Sequence, residues 1–343
     1  MPARMYIDPV VLELERDRIF ARTWQLVGRM EQLADTGSFI TADIAGEPIV
    51  IVRDGSELRG YHNVCLHRAG PVAQGCGKRQ TLQCRYHGWT YTPRGELLRA
   101  PEMEGTQNFR AEDFKLHPVQ VASWGPLVFA NLDPKAPPLA HFLEDIPSQA
   151  SKFNAESMRW VMRKDWHVNC NWKVYLDNYL EGYHVPVVHP GLNKEIDYDQ
   201  YTVETHRYYS RQYAPLREAH GDASRKYVPR SKDDQAQYYW LFPNVMLNVY
   251  LGQMQTNVVL PDGPDKTLVI FEWFATDPPA DPATDAEWKK LVAFSDEIQV
   301  EDIEICEVVQ RNLHSRAYDR GRYSAKRENG VHHFHSLLHE FLT

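Results

Sequence analysis

The sequence predicts an α+β protein with an opening helix, a small all-β domain and a larger domain in which helices pack against an antiparallel sheet. Three observations predict this arrangement. Residues 37–133 consist of short β-prone runs broken by Gly, Pro and Asp, a proline-rich stretch follows, and the remainder combines longer β-prone runs with helical segments. The 343 residues suffice for about two domains at roughly 150 residues each.

The chain opens with a predicted amphipathic helix. Asp8 can cap this helix, and Pro9 can take its first position, where a missing backbone N–H does no harm. The apolar residues that follow roughly keep helical spacing: Leu12, Ile19, Phe20 and Trp24. One helix is therefore expected within residues 1–36.

The small domain is predicted from its β-prone runs and from the linker that follows it. The runs lie at 38–44, 48–52, 119–121 and 127–131. Residues 133–138 contain too many prolines for a helix or a central strand. We place the linker there, so that the first domain covers residues 37–135 and the second covers residues 136–343.

The second domain begins helically and then offers three β-prone runs, at 201–213, 237–260 and 267–275. A long helical segment at 283–313 follows them. This order predicts an antiparallel sheet covered by helices.

Composition and charge exclude several classes of protein. A formal net charge of -8 supplies no basic footprint for nucleic acid. No apolar run reaches the roughly 18 residues that a membrane span needs, and the first residues lack a secretory apolar region. We therefore expect a cytoplasmic protein with neither a nucleic acid nor a membrane as its partner. Of the five cysteines, three are expected to be ordinary thiols: Cys76, Cys170 and Cys306.

The other two cysteines form a pattern with histidines in the β domain. The pattern consists of Cys65-Leu66-His67 and Cys84-Arg85-Tyr86-His87. Turn-forming residues follow each pair, so two loops can converge on one site. Two thiolates and two imidazoles can hold a tetrahedral zinc ion, or a 2Fe-2S cluster with both cysteines on one iron and both histidines on the other. The spacing is unusual for structural zinc, which favours the cluster.

A second group of possible metal ligands lies in the larger domain. Asp177, Glu181 and His184 are spaced i, i+4 and i+7, which predicts one face of a helix. Two residues then weaken and end that helix: Gly182 and Pro186. The chain can therefore turn His189 back toward His184. Two histidines and one carboxylate make a facial triad that leaves open positions on Fe(II), although two histidines five residues apart are weak evidence alone.

The carboxylate of that triad is expected on the long C-terminal helix. Its apolar stripe is formed by Ile298, Ile305 and Val309, and Asp302 lies on one edge of the stripe. Glu301 lies on the other edge. Periodicity therefore favours Asp302 only weakly.

The residues quoted so far carry a resemblance to a known family. The first pattern resembles the Rieske motif, whose usual continuation is matched by Gly88-Trp89-Thr90-Tyr91. With both groups of ligands in the expected order, the chain resembles the alpha subunits of Rieske non-haem iron oxygenases over essentially its whole length. More narrowly, it is similar to choline monooxygenase and its bacterial relatives. The segments of this closer likeness are 177–192, 242–248, 301–303, 306–311, 317–323 and 332–335.

The resemblance implies an architecture. The all-β domain would be a Rieske domain joined to a helix-grip catalytic domain, on which the N-terminal segment 1–36 packs. Three chains would assemble head to tail as a homotrimer, alone or with small beta subunits. In that ring the cluster of one subunit lies near the mononuclear iron of its neighbour.

The resemblance also implies roles for individual residues. The 2Fe-2S ligands would be Cys65, His67, Cys84 and His87. The mononuclear Fe(II) ligands would be His184, His189 and Asp302, which decides against Glu301. Glu181 matches a carboxylate that bridges the subunit boundary for electron transfer, where many members have Asp. Asn178 matches a position close to the iron and is expected to act on a ligand rather than on the metal.

The implied activity is that of an iron-dependent oxidoreductase, a monooxygenase or dioxygenase. Because no Gly-rich nucleotide fingerprint follows a predicted strand, electrons from NAD(P)H should arrive through a separate reductase or ferredoxin. The other partners are dioxygen and a small organic substrate, expected to be a quaternary ammonium compound oxidised at a carbon next to nitrogen. Aromatic faces stabilise such cations by about 0.5 to 2 kcal/mol each. Four candidates are Tyr239, Trp240, Tyr250 and Trp273.

Three other functions remain open at this point. One is hydroxylation of an aromatic acid or another ring compound by the same kind of enzyme. Another is a Rieske electron-transfer protein, which the second group of ligands argues against, and the third is a zinc-stabilised binding module. The histidines of the C-terminus fit neither ligand spacing and are expected to pack or to face solvent: His332, His333, His335 and His339.

Overall fold

The structure is a computed structural model that describes residues 1–217 and 235–343. It divides into two compact units, of which one is Arg16–His141 and the other joins Met1–Glu15 to Phe142–Thr343. We call these the β unit and the catalytic unit. The domain boundaries predicted after residues 36 and 135 stay predictions.

Helices and strands are numbered in chain order. The helices are α1 (Arg4–Ile7), α2 (Pro9–Arg18), α3 (Leu139–Leu143), α4 (Ile146–Ala150), α5 (Trp172–Tyr179), α6 (Val185–Val188), α7 (Pro190–Glu195), α8 (Ala286–Leu313) and α9 (Asn329–Leu342). The first ten strands are β1 (Gln25–Arg29), β2 (Ser38–Ile44), β3 (Glu47–Asp54), β4 (Glu57–His62), β5 (Cys76–Lys78), β6 (Leu82–Gln83), β7 (Thr90–Tyr91), β8 (Leu97–Arg99), β9 (Pro118–Trp124) and β10 (Leu127–Asn131). The remaining strands are β11 (Arg159–Val168), β12 (Thr202–Thr205), β13 (Tyr209–Pro215), β14 (Gln235–Leu241), β15 (Val245–Tyr250), β16 (Gln253–Pro261) and β17 (Thr267–Ala275).

The opening helix is shorter than predicted. Helix α2 begins at Pro9 as expected but ends at Arg18, so the prediction that Trp24 continues it is wrong. Residues 25–29 instead form β1, whose Leu26 pairs with Phe129 of β10. Partnering with an existing strand therefore outweighs the helical spacing of the apolar residues.

The β unit is built on a seven-stranded antiparallel sheet with the strand order β1-β10-β9-β4-β3-β2-β5. Alternate side chains of β3 enter different cores, with Val50 and Val52 on one face and Ile49 and Ile51 on the other. A separate sheet of β6, β7 and β8 supplies Leu82 and further residues to the core that contains Val50 and Val52. The buried cysteines of the predicted metal site belong to that same core.

The catalytic unit is built on a second seven-stranded antiparallel sheet, in the order β11-β17-β16-β15-β14-β13-β12. Helix α5 packs against β16 and against the long helix α8. Asp285 caps α8 by accepting the backbone N–H groups of Glu287 and Trp288. The predicted α+β class is thereby confirmed.

The N-terminal segment is anchored in the catalytic unit by a buried ion pair. Glu15 Oε1 lies 2.7 Å from Lys173 Nζ at the start of α5. Trp172 Nε1 donates to Glu15 Oε2 at 2.7 Å. The first turn of α5 is therefore fixed by a residue more than 150 positions earlier in the chain. In the described parts of the chain, no helix has both the length and the apolar character to cross a bilayer.

Candidate metal centres and active site

Two similar turns in the β unit carry the first set of possible ligands. The backbone N–H of Cys65 donates to the carbonyl of Gly70 at 2.8 Å, and that of Cys84 donates to the carbonyl of Trp89 at 2.9 Å. A return bond within each turn runs from Ala69 to Cys65 and from Gly88 to Cys84. Backbone hydrogen bonds thus close both loops before any metal is considered.

The closed loops bring the four predicted residues together, and we call them the Cys–His site: Cys65, His67, Cys84 and His87. Both cysteines are only 2% exposed, and the two imidazole rings lie 4.6 Å apart. Gly70 leaves the necessary space, because a Cβ there would come within 2.8 Å of Cys84 Sγ. The Trp89 indole stacks on the His67 ring, with 4.9 Å between the ring centroids.

The Cys–His site is suited to a metal–sulfur group because it combines two buried thiols with an imidazole nitrogen that lacks a partner. His67 Nδ1 is buried without a hydrogen-bond partner, which is costly unless a ligand is bound there. Burial raises the pKa of the Cys65 thiol, and the nearby Tyr91 hydroxyl opposes that rise. Tyr91 accepts the backbone N–H of Leu66 at 3.1 Å, so its own proton is free to point at Cys65 Sγ, 3.4 Å away. Two buried thiols and an unpaired imidazole nitrogen match the donor set of a Rieske cluster.

The second set of ligands does not lie on one helix, so that part of the prediction is wrong. Helix α5 ends at Tyr179, before Glu181 and His184. Gly182 is buried against Tyr201, whose ring lies 2.7 Å from the position of a Cβ, so the chain turns there around an aromatic ring. Pro186 lies in the first turn of α6 rather than ending a helix.

The turn nevertheless brings the three predicted metal ligands together, and we call them the triad: His184, His189 and Asp302. One potential ligand atom from each lies within 4.8 Å of the other two. His189 Nε2 is 2.9 Å from Asp302 Oδ1, and His184 Nε2 is 3.9 Å from the same oxygen. Two imidazole nitrogens and a carboxylate oxygen facing one point form a donor set for a divalent metal.

Each histidine of the triad is oriented by a carboxylate on its other nitrogen. Glu181 Oε1 lies 2.6 Å from His184 Nδ1, and Glu301 Oε2 lies 2.6 Å from His189 Nδ1. A proton held at Nδ1 leaves the Nε2 lone pair for the metal. Asn178 Nδ2 donates to Asp302 Oδ1 at 2.5 Å, so it orients the carboxylate of the triad.

The electrostatics of the triad favour a bound cation. Burial is the largest single influence on His189 and lowers its pKa, but Asp302 and Glu301 together outweigh it and raise the pKa above the ordinary value. The carboxylates that raise the pKa of His189 would also stabilise a divalent cation between the three side chains.

The sequence indicated Glu301 only as an alternative to Asp302 for the third metal ligand. Its position next to the ligand, on a helix, is the signal that could have suggested a supporting role. Asp177 was expected to share a face with Glu181, but it accepts from the Tyr6 hydroxyl at 2.5 Å and bonds His335 Nε2 at 2.8 Å. His335 of α9 therefore has a packing partner in the catalytic unit.

A cavity of about 110 Å³ opens beside the triad. Its polar lining residues are Asn178, Glu181, Gln212, Asn248, Gln255, Asn257, Ser295 and Gln299, and its aromatic ones are Tyr175, Tyr179, Tyr201, Tyr238, Tyr250 and Phe271. Of the four aromatic residues proposed from the sequence, Tyr250 lines the cavity. Tyr239, Trp240 and Trp273 are buried and are not among the described lining residues.

Comparison with known families and proteins assigns a family to each of the two regions that contain these sites. The ring hydroxylating alpha subunit (catalytic domain) family matches residues 155–343, and the Rieske [2Fe-2S] domain family matches residues 23–110. The chain is 36% identical over 358 residues to the chloroplastic choline monooxygenase of Arabidopsis thaliana, covering 99% of this chain and 82% of that protein. It is 31% identical to the carnitine monooxygenase oxygenase subunit of Escherichia coli K12, covering 98% and 92%.

Solved structures lead to the same family. The quaternary ammonium Rieske monooxygenase CntA in complex with L-carnitine has a TM-score of 0.86 and 27% identity, over 100% of this chain and 95% of that one. Naphthalene 1,2-dioxygenase from Rhodococcus sp. has a TM-score of 0.79 at 20% identity and shares the fold. The expected family, enzyme class and two cofactors are confirmed. The chain belongs to the Rieske oxygenases, as an alpha subunit with a [2Fe-2S] domain and a mononuclear iron domain in the branch of the choline and carnitine monooxygenases.

Proposed function

We propose that this chain is the oxygenase component of a monooxygenase that oxidises a small quaternary ammonium compound at a carbon next to nitrogen. The observation that carries the proposal is the cavity beside the triad, which offers tyrosine rings to a cation. The names of the choline and carnitine monooxygenases support the same substrate class.

The two centres have separate roles in this proposal. The Cys–His site holds the [2Fe-2S] cluster, and the triad holds the mononuclear iron. When bound, the cluster supplies electrons and the iron supplies activation of dioxygen. The unpaired Nδ1 of His67 and the shared Asp302 oxygen are the features of this chain that support these assignments.

The protein's own groups keep the triad in its ligating form. Glu181 and Glu301 hold protons at the Nδ1 atoms of His184 and His189, which directs both Nε2 atoms at Asp302. Asn178 fixes the Asp302 carboxylate by donating to one oxygen. The histidines need not reorganise when metal binds, because their rings are already oriented.

Glu181 is also our candidate for the carboxylate that bridges two subunits. Its Oε1 is bonded to His184, while its Oε2 accepts the backbone N–H groups of Tyr183 and His184. Each carboxylate oxygen accepts more than one bond, so a histidine of a neighbouring chain can still be bound. The longer side chain folds back on its own backbone, which is how a Glu occupies a position that is often Asp.

The cavity is suited to a methylated cation. Rings of Tyr201, Tyr238 and Tyr250 line it together with Tyr179, and each aromatic face contributes about 0.5 to 2 kcal/mol to cation binding. Burial raises the pKa of Tyr179 and of Tyr201 well above the ordinary value, so these phenols stay neutral. They can line a cation site without changing charge.

The assembly and its electron supply follow from the same proposal. We expect a homotrimer in which each cluster serves the iron of a neighbouring subunit, supplied by a separate NAD(P)H-dependent reductase or ferredoxin. One solved structure of a quaternary ammonium Rieske monooxygenase is described as giving insights into inter-subunit electron transfer, which supports an oligomer. The predicted cytoplasmic location stays a prediction.

A single-turnover experiment tests the proposed function. The purified protein is reduced anaerobically, freed of reductant, and mixed with oxygen and each of a panel of quaternary amines and aromatic acids. Fast cluster oxidation that depends on a quaternary amine, with a product that gains oxygen or loses a methyl group, is expected. Equal, slow oxidation with every amine, at full iron occupancy, would refute the proposal, and a response to an aromatic acid alone would assign a ring hydroxylase.

A further inference from the structure

The polar groups of the cavity are almost all neutral. Gln212, Tyr238, Asn248 and Gln255 lie directly opposite one another on β13, β14, β15 and β16, so they form one row across the sheet. All four line the cavity. Because carboxamides do not titrate, the three amides of this row offer hydrogen bonds without a formal charge at any pH.

Two further amides in the cavity lack partners. Gln299 Nε2 and Asn257 Oδ1 are buried without a hydrogen bond, in side chains that are 2% and 4% exposed. The orientation of Gln299 is set because its Oε1 accepts the Tyr175 hydroxyl at 2.5 Å. A buried donor or acceptor without a partner is unfavourable. A ligand acceptor removes that cost at Gln299 and a ligand donor removes it at Asn257, and a hydroxyl can play either part.

The formal charges of the cavity are of one sign apart from the histidines. Among the lining residues that the structure describes, there is no Lys or Arg, and the two acidic residues, Glu181 and Asp302, belong to the metal site, where a bound divalent ion offsets their charge. A buried carboxylate needs a paired cation or a large number of donors. The described walls of this cavity offer no cationic side chain to a substrate carboxylate, so they disfavour one.

Helix α8 shows where the neutral group would lie. Ser295, Gln299 and Asp302 line the cavity from one face of the helix. At 1.5 Å per residue, Gln299 is about 4.5 Å along the axis from Asp302, and Ser295 is about 10 Å away. The unpaired amide is thus one turn from the triad. A ligand group that binds the Gln299 amide would lie near the carbon that is oxidised. The tyrosine rings of the same cavity would face the ammonium group.

We infer that the cavity selects short quaternary amines whose other polar group is neutral, above all a hydroxyl near the oxidised carbon, over zwitterions that carry a carboxylate. Gln299 and Asn257 would be the residues that determine this specificity. The inference rests on the proposed function and narrows it.

Binding to the holoenzyme tests the inference. Choline and glycine betaine share a trimethylammonium group but end in a hydroxyl and a carboxylate, and tetramethylammonium has no second polar group. Calorimetry under anaerobic conditions is expected to give choline at least about a tenfold lower Kd than glycine betaine, which equals roughly 1.4 kcal/mol. The same order should hold for the rate of substrate-dependent cluster oxidation.

Variants separate a specificity role from a structural one. Gln299→Leu and Asn257→Leu should each weaken choline binding about tenfold, as expected for a lost buried hydrogen bond, and should leave tetramethylammonium binding unchanged. Equal loss for both ligands would show that the amides only maintain the fold, which contradicts the inference. Gln255→Lys should improve glycine betaine binding relative to choline.

The outcomes also distinguish the inference from the proposed function. If glycine betaine binds as tightly as choline while all three ligands bind, the inference is wrong and the proposed function stands. If none of the three ligands binds or triggers cluster oxidation, the proposed function fails and the inference fails with it.

Discussion

The two metal centres of this protein are held together by different means. At the Cys–His site, backbone hydrogen bonds close two short loops, so Cys65 and Cys84 are placed by local turns. In the triad, His189 and Asp302 are 113 positions apart, and side-chain carboxylates orient the histidines. A site made by local turns is encoded in a short motif. A site made by side-chain contacts depends on the packing of α8, and changes there should alter metal binding without altering the loops.

The largest effect is expected from removing the shared carboxylate. Asp302→Ala deletes the ligand that both imidazoles face, so it should abolish turnover and lower iron affinity by more than the roughly 10- to 100-fold typical for loss of an outer partner. The cluster spectrum should be unchanged. Iron analysis, sulfide analysis and turnover measure the three quantities, and retained activity would remove Asp302 from the triad.

The next largest effect tests the loops of the Cys–His site. Gly70→Ala would place a Cβ 2.8 Å from Cys84 Sγ, so the loops must separate. Overpacking of this kind typically costs about 1–3 kcal/mol, and cluster content should therefore fall by more than half. Ala69→Gly is the matched control, since Ala69 already has a positive φ of 57° that glycine adopts readily. Normal acid-labile sulfide in the Gly70→Ala protein would contradict the account of this site.

A smaller effect is expected from the carboxylate behind His189. Glu301→Gln keeps a hydrogen-bond acceptor near His189 Nδ1 but removes the charge, so iron affinity should fall by roughly tenfold, the lower end of the range for such partners. Glu304→Gln is the control, because Glu304 lies exposed on the same helix. Competition with a chelator measures the affinity, and the spectrum of a nitric oxide complex of the iron reports the ligand field. Equal affinities in both variants would show that Glu301 does not support the metal.

The smallest effect should arise at the hydroxyl beside Cys65. Tyr91→Phe removes a donor 3.4 Å from Cys65 Sγ, and hydrogen bonds to sulfur raise cluster potentials. A bond of about 1 kcal/mol corresponds to a fall on the order of 40 mV at 59 mV per tenfold change. Tyr86→Phe is the control, because Tyr86 lies in the loop that carries Cys84 and His87 but is exposed. Redox titration followed by electron paramagnetic resonance measures both, and equal potentials would exclude the hydrogen bond as an influence.

The sequence predicted most of what is local. Strands β2 and β10 lie at the predicted positions, and all seven proposed ligands come together in two groups. The path between Asp177 and His184 was not predictable from periodicity, because Tyr201 packs on Gly182 from a distant part of the chain. Glu301 was ambiguous for a similar reason, since only the packing of α8 decides which neighbouring carboxylate faces the metal and which faces His189.

The ion pair between Glu15 and Lys173 limits how this protein can be divided. The catalytic unit is discontinuous in sequence, since Met1–Glu15 belongs to it although the whole β unit intervenes. A fragment that begins at Phe142 would remove the carboxylate that is paired with the buried Lys173, and loss of one partner of such a pair typically costs about 3–5 kcal/mol. The oxygenase unit is therefore not a transplantable segment. Grafting it onto another electron donor requires that the first fifteen residues be supplied as well, on the same chain or as a peptide.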